Sequence, residues 1–315
     1  MNIVYAADNN FVDVLLRFYL SHFIIANHDF KINLWIIADN VSDENKDKIN
    51  DLSQEYGQRK ICWVDNVEIP YKLQLDRGSA SAFSRLLLGS ILPKNISKVL
   101  YLDSDTIVMN SLKELFDVDF KGNIVLGVAD VFNKEYKKVL KIPKDKPIFN
   151  SGVMFIDLER WRKEQVETQL FKVIKDFNGK IIQGDQGVLN AVLFNSFKPL
   201  SPKYNFMTIF EDMSYEDMIT FKQPVNYYSK EDLEEARKNI TIRHFTTCFL
   251  SLRPWQESSE VAHVEIFKKY YRGEYKEVSP SKLLSIYKIL PKKMSLHLLG
   301  FIQSKVRPKL YRIIK

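Results

Sequence analysis

Asp103 and Asp105 stand one residue apart at the end of an apolar run, in the segment Val99-Leu100-Tyr101-Leu102-Asp103-Ser104-Asp105-Thr106-Ile107-Val108. The run is short and rich in branched side chains, which fits a buried strand better than a helix. Side chains alternate along a strand, so residues i and i+2 point the same way. Two carboxylates on one side then make a hard oxygen site for a divalent cation. Aspartates are also common in turns, and paired surface carboxylates often do no more than face water, so the pattern gains weight only from its company.

That company is spread along the chain. His244 closes the apolar run Ile240–Phe245 and would add an imidazole to the two oxygens, a donor set that suits manganese better than magnesium. The plain alternative is a satisfied histidine at a strand end. Asp8 and Asn10 follow the strand-like Ile3–Ala7 and could hydrogen-bond the edge of a pyrimidine, or form an ordinary turn. Arg85 is the one charge within Phe83–Leu88; it either reaches water past an apolar stem or pairs with a carboxylate. Phe149-Asn150-Ser151-Gly152 and Gly184-Asp185-Gln186-Gly187 offer amides and a carboxylate that could cap backbone or read sugar hydroxyls.

The elements that must position these groups alternate. Strands are predicted near 2–7, 33–38, 60–65, 98–103 and 124–129, with helices over 11–26, 43–56 and 80–91. Ser42 is a candidate N-cap for the second helix, with Asp43 and Glu44 in its first turn. This pattern implies an α/β fold with a Rossmann-like, mostly parallel sheet covered on both faces. In such sheets ligands bind at the carboxyl ends of strands, where Asp8, Asn10, Asp103 and Asp105 stand. Downstream, Phe149–Leu158 reads as a strand, Glu159–Phe177 as an amphipathic helix, and Gly184–Phe194 as a further helix.

The chain of 315 residues is 45% hydrophobic, enough for one large α/β domain with or without an appendage. Its two cysteines, Cys62 and Cys248, can form neither a disulfide framework nor a four-ligand zinc site, and fit a reduced, cytoplasmic setting. The N-terminus runs straight into a strand, and no run of 18 apolar residues occurs, so neither a cleavable signal nor a membrane span is expected. The net charge of +7 is concentrated at one end: residues 278–315 hold nine basic residues and no acidic one, leaving 37 basic against 39 acidic in residues 1–277. A near-neutral body with a basic tail argues against a nucleic-acid groove and for an electrostatic anchor on an anionic membrane. The tail's leucines and isoleucines suit short amphipathic helices divided at Pro291 and Pro308; the alternative is a helical hairpin packed on the body.

Taken in order, the segments resemble the family 8 retaining glycosyltransferases, and among them the bacterial lipooligosaccharide α-1,4-galactosyltransferases. The resemblance is carried by Tyr5-Ala6-Ala7-Asp8-Asn9-Asn10-Phe11, Ser84-Arg85-Leu86, Tyr101-Leu102-Asp103-Ser104-Asp105, Phe149-Asn150-Ser151-Gly152-Val153, Gly184-Asp185-Gln186 with Leu189-Asn190, Tyr204-Asn205-Phe206-Met207, and His244 with Arg253-Pro254-Trp255. It implies a GT-A domain over 1–277, followed by a membrane-associating tail over 278–315. A UDP-hexose, galactose or glucose, would be bound through manganese, with magnesium as the alternative. Asp8 and Asn10 would hold the uridine, with Ala6 and Ser104 also on the donor side, while Asp103, Asp105 and His244 ligate the metal. Arg85, Asn150 and Asp185 would contact the hexose, Arg253 the diphosphate, and Gln186 would lie beside the anomeric carbon. An amide is a poor nucleophile, so retention by a front-face route is favoured over double displacement.

The resemblance further implies a peripheral enzyme on the inner membrane face that extends a surface glycan carried by an oligosaccharide or lipid acceptor. Rival readings are an α-glucosyltransferase or galactosyltransferase acting on a protein-linked glycan, and a nucleotide-sugar-binding protein without turnover. Two departures bear on this. The His244–Trp255 loop is three residues longer than the usual His-x-x-Gly-x-x-Lys-Pro-Trp, lacks its glycine and has arginine for lysine, and the usual Asp-Gln-Asp is Asp185-Gln186-Gly187.

Overall fold

The computed structural model describes residues 1–9, 12, 31–55, 61–65, 67, 81–256, 259–260, 264–265, 268 and 282–313. Asn10 and the helix expected over 11–26, apart from Val12, lie outside the described residues. The strands are β1 (Asn2–Asp8), β2 (Asn33–Asp39), β3 (Cys62–Asp65), β4 (Lys98–Leu102), β5 (Thr106–Val108), β6 (Val125–Ala129), β7 (Phe149–Asp157), β8 (Phe197–Pro199), β9 (Phe206–Met207) and β10 (Ile242–His244). Seven form the central sheet in the order β3-β2-β1-β4-β7-β6-β8, and β5, β10 and β9 form a small second sheet. Among the described strands of the large sheet, only β7 runs against its neighbours.

The uninterrupted apolar character of β4 follows from burial on both faces. Val99 and Tyr101 enter one core layer with Leu86, Met154 and Trp161, while Leu100 and Leu102 enter the opposite layer with Tyr5, Ile36 and Phe155. The five strands expected in the first 130 residues occur within two residues of their expected ends, as does the helix Asp43–Glu55. The expected helix over 80–91 instead begins as a 3-10 helix, Ser81–Leu87, before a single α-turn at Leu88–Ile91. The expected helix over 159–177 is two, Leu158–Lys163 and Val166–Asp176. They break at Gln165, whose φ of 52° cannot continue a right-handed helix.

Two pairings bring the site together. β7 runs antiparallel to β4, so the start of β7 lies at the end of β4, and the Asp103 N–H donates to the Gly152 carbonyl at 2.8 Å. β10 runs antiparallel to β5 with His244 opposite Thr106, and the Phe245 N–H donates to the Asp105 carbonyl at 2.9 Å.

The basic tail begins with a helix at Lys282–Ile289, and a second, longer helix follows Pro291. Pro308 does not divide this second helix, contrary to the sequence expectation. It runs from Lys292 through a π-turn at Ile302–Val306 to Ile313. Pro308 lacks the N–H that would bond the Ser304 carbonyl, and the Asn133 side-chain amide donates to that carbonyl instead, at 2.9 Å. Leu296 and Leu299 are buried in a third core cluster with Phe210, Met218 and Phe221. Gly300 lies so close to the helix Tyr215–Lys222 that a Cβ there would come within 2.9 Å of the Phe221 carbonyl oxygen. Ile289, at the end of the first tail helix, is exposed, as are Met294, Leu298, Phe301, Ile302 and Leu310 on the second. Among the described residues no helix is long and apolar enough to cross a membrane.

Candidate active site

A cavity of about 570 Å³ opens at the carboxyl ends of β1, β4 and β6, lined among others by Ala6, Arg85, Asp103, Asp105, Asn150, Asp185, Gln186, His244 and Arg253. The structure therefore gathers these segments, separated by more than two hundred residues of sequence, around one space. Asp8 ends β1 and is half-buried, but does not line that cavity.

At the centre, one ligand atom each from Asp103, Asp105 and His244 lies within 4.8 Å of the others. His244 Nε2 is 3.0 Å from Asp105 Oδ1 and 3.8 Å from Asp103 Oδ2. The residues fit a divalent cation on two counts. Two carboxylate oxygens and an imidazole nitrogen are a suitable donor set, and Gly152 leaves them room, because a Cβ there would fall 2.2 Å from His244 Cε1 and 2.7 Å from Asp103 Oδ2. Burial opposes the charge on Asp105, but His244 and the Arg253 guanidinium, whose Nη2 is 3.2 Å from Oδ2, outweigh it and hold this carboxyl well below the usual carboxylate range.

A chain of amides sets the orientation of His244. Asn205, fully buried, donates from Nδ2 to Asn150 Oδ1 at 2.9 Å, and Asn150 Nδ2 donates to Asp130 Oδ2 at 3.0 Å. Because Asn205 Nδ2 is committed there, its Oδ1 faces His244 Nδ1 at 2.9 Å as an acceptor. Nδ1 is then the nitrogen that donates to Asn205, which leaves Nε2 as the nitrogen facing the aspartates, where it would offer its lone pair to a bound cation. The Asp130 carboxylate accepts only, so it gives the whole chain its direction.

Arg85 resolves as paired. It is 4% exposed, with Nη2 2.8 Å from Asp103 Oδ1, Nε 3.2 Å from Asp185 Oδ2 and Nη1 donating to the Ser151 carbonyl at 2.9 Å. Burial would favour the neutral guanidine, but Asp103 and Asp185 beside it keep Arg85 charged. Burial pushes the Asp185 carboxyl up, with Arg85 working against it. Gln186 is fixed at both ends: Oε1 accepts from the Ser151 N–H at 3.1 Å and Nε2 donates to Asp130 Oδ2 at 3.0 Å. Ser104 spends its proton on the Ala6 carbonyl at 2.8 Å, tying the ends of β4 and β1 together.

The glycine at position 187 has a packing reason: a Cβ there would lie 2.0 Å from the Ile182 carbonyl oxygen. This backbone has no room for a second carboxylate in that turn. Two residues of the site escaped sequence reasoning as functional groups. Asp130 follows the apolar run of β6 just as Asp103 follows β4, a signal that was present and unread. Asn205 belonged to a recognised segment but acquires a role only through its contact with His244.

A model of the family described as "Glycosyl transferase family 8" matches residues 2–259. General stress protein A of Bacillus subtilis (strain 168) is 24% identical over 279 residues, covering 87% of this chain and 91% of that protein. A lipopolysaccharide 1,2-glucosyltransferase of Escherichia coli is 24% identical over 282 residues, covering 86% and 77%. The crystal structure of a galactosyltransferase, LgtC, in complex with donor and acceptor sugar analogs superposes with a TM-score of 0.72 at 23% identity, over 86% of this chain and 95% of that one.

Proposed function

The chain belongs to glycosyl transferase family 8, and on that premise we propose that it is a metal-dependent, retaining hexosyltransferase that moves galactose or glucose from UDP to a surface-glycan acceptor. The observation that carries this reading is the convergence of Asp103, Asp105 and His244 beside Arg85, Asp185 and Gln186 in one cavity. Manganese is the favoured ion, and it would supply positive charge where the departing diphosphate becomes more negative. Asp103, Asp105 and His244 would hold it. Arg253 would meet the diphosphate, with a planar fork in place of the ammonium usual at that position. Asp185 and Asn150 would grip hexose hydroxyls.

Gln186, clamped by Ser151 and Asp130, would keep its carbonyl oxygen at the reacting face without becoming a leaving or attacking group. The amide of Gln186 is a poor nucleophile, which favours a front-face route. The acceptor hydroxyl's proton would then pass to the departing phosphate oxygen. The decisive experiment measures UDP release from UDP-galactose, UDP-glucose and their N-acetyl forms, with manganese, with magnesium and in EDTA. Release with one of the hexoses that requires the metal is expected, and no release from any donor would favour a binding protein instead.

The outer face of the tail supports peripheral membrane attachment, for which lipid-linked and other membrane-proximal acceptors are the natural partners. Its exposed Ile289, Met294, Phe301 and Leu310 lie among lysines, each worth about 1 kcal/mol near an anionic surface. Because Leu296 and Leu299 are core residues, point variants are a cleaner test than truncation. Wild-type protein is expected to co-sediment with anionic vesicles in low salt, and a protein carrying Ile289→Glu and Phe301→Glu to remain in the supernatant. Equal sedimentation of the two would sink the anchor.

A further inference from the structure

We propose that the tail acts on the catalytic cavity from behind: Phe249 and Tyr287 are positioning residues that hold the loop between His244 and Trp255 so that Arg253 stands at Asp105. The proposal rests on the nucleotide-sugar reading, which makes Arg253 a contact of the donor diphosphate. The loop leaves the site at His244 and returns to it at Arg253, whose Nη2 is 3.2 Å from Asp105 Oδ2. Eight residues lie between them, and none belongs to a helix or a strand.

A stretch without a hydrogen-bonded ladder keeps one shape only if side-chain contacts offset the entropy of ordering it. Arg253 does not supply them. Beside the ion pair with Asp105 its guanidinium carbon lies 5.0 Å from the centre of the Trp255 ring, and its buried Nε has no hydrogen-bond partner among the described residues. Where the guanidinium stands is therefore decided by where the loop brings its backbone.

The contacts that hold the loop lie away from the cavity. Thr246 and Thr247 line it, but the residues from Cys248 to Leu252 do not. Asp212 accepts from the Ser251 hydroxyl at 2.6 Å and from the Cys248 thiol, which burial pushes up to about 12 and so keeps protonated. Phe249 meets the Phe221 ring at 5.2 Å between centres and the Tyr287 ring at 5.7 Å, the latter edge-on at 71°. Phe221 belongs to the body helix Tyr215–Lys222, whereas Tyr287 belongs to the first tail helix, Lys282–Ile289. That helix is itself fastened, since the Ser295 hydroxyl of the second tail helix donates to the Tyr287 carbonyl at 3.1 Å. Edge-on ring contacts are directional as well as apolar, so they fix a place for the loop and not only its burial. The three residues by which this loop exceeds the usual spacing then have a use: they give it the length for the detour to the tail.

Calorimetric titrations of UDP in manganese into Tyr287→Ala, Arg253→Gln and the double variant test this. Each single change is expected to weaken UDP about five- to tenfold, and the double variant to bind no more weakly than Arg253→Gln alone, because the two residues act through one group. Tyr287→Phe keeps the ring and should bind UDP as the wild type does. In ligand-free protein, amide hydrogen exchange over residues 246–253 should quicken in Tyr287→Ala and in Phe249→Ala, with β4 as protected as before. A double variant weaker than Arg253→Gln, wild-type UDP affinity in Tyr287→Ala, or unchanged loop exchange in both alanine variants overturns the proposal. If the wild type does not bind UDP with manganese, the nucleotide-sugar reading falls, and loop exchange still decides whether the tail holds the loop.

Discussion

Asp105→Asn protein is expected to fold normally and to lose hexosyl transfer about a thousandfold or more. Asparagine keeps the shape of the side chain and removes one negative charge from the donor set Asp103, Asp105 and His244. Asp105 is the carboxylate held deepest in its ionised form, by His244 at 3.0 Å and Arg253 at 3.2 Å. In the variant the Arg253 guanidinium remains without it, so a dication entering the site meets an uncompensated positive neighbour and one carboxylate fewer. Calorimetry with UDP, in manganese and in EDTA, separates this from a packing defect. Wild-type affinity should depend on the metal, and that dependence should vanish in Asp105→Asn. Equal UDP affinity of the wild type in both media would remove the cation from the mechanism.

How much of this was legible in the sequence depended on what each group's role rests on. The carboxylate pair was readable because a strand end and an i, i+2 spacing are local facts, and β4 indeed ends at Leu102 with both aspartates in the cavity wall. His244 was readable as a candidate and not as a ligand. Its approach depends on β5 and β10, strands of three residues each, which are too short to leave a periodic signature. Arg85 was ambiguous for a similar reason: a lone charge in an apolar run says that something must compensate it, and only the fold says that Asp103 and Asp185 do. The tail was ambiguous because an amphipathic helix shows the same pattern whether its apolar side meets lipid or protein. Here one helix has two apolar sides, Leu296 and Leu299 inward against protein and Leu298 and Phe301 exposed.

The departure at position 187 illustrates a different limit. From sequence, a glycine where the family has aspartate puts the roles of the turn in doubt. In the folded chain the Ile182 carbonyl occupies the place that a Cβ would need, so the turn as folded here requires glycine at 187.

Asn205→Leu is expected to weaken manganese-dependent UDP binding by about ten- to a hundredfold, although Asn205 acts only through His244 and Asn150 behind the cavity wall. Leucine is close to asparagine in size but can neither accept from His244 Nδ1 nor donate to Asn150 Oδ1. Two things then change together. The imidazole loses the acceptor that keeps its proton on Nδ1, so the tautomer carrying the proton on Nε2, which cannot ligate, becomes competitive. Asn150 loses the donor that orders its amide, although Gly152 N–H at 3.0 Å and Asp130 at 3.0 Å still hold it. Asn205→Asp discriminates between orientation and mere packing. A carboxylate can still accept from Nδ1–H but cannot donate to Asn150, so it should preserve the ligating tautomer and retain more metal affinity than leucine does. Nitrogen chemical shifts of the His244 ring report the tautomer directly, with the proton on Nδ1 in the wild type and a mixed population in Asn205→Leu. A ring with unchanged tautomer in the leucine variant, or wild-type metal affinity there, would show that the chain of amides from Asp130 to His244 only fills space.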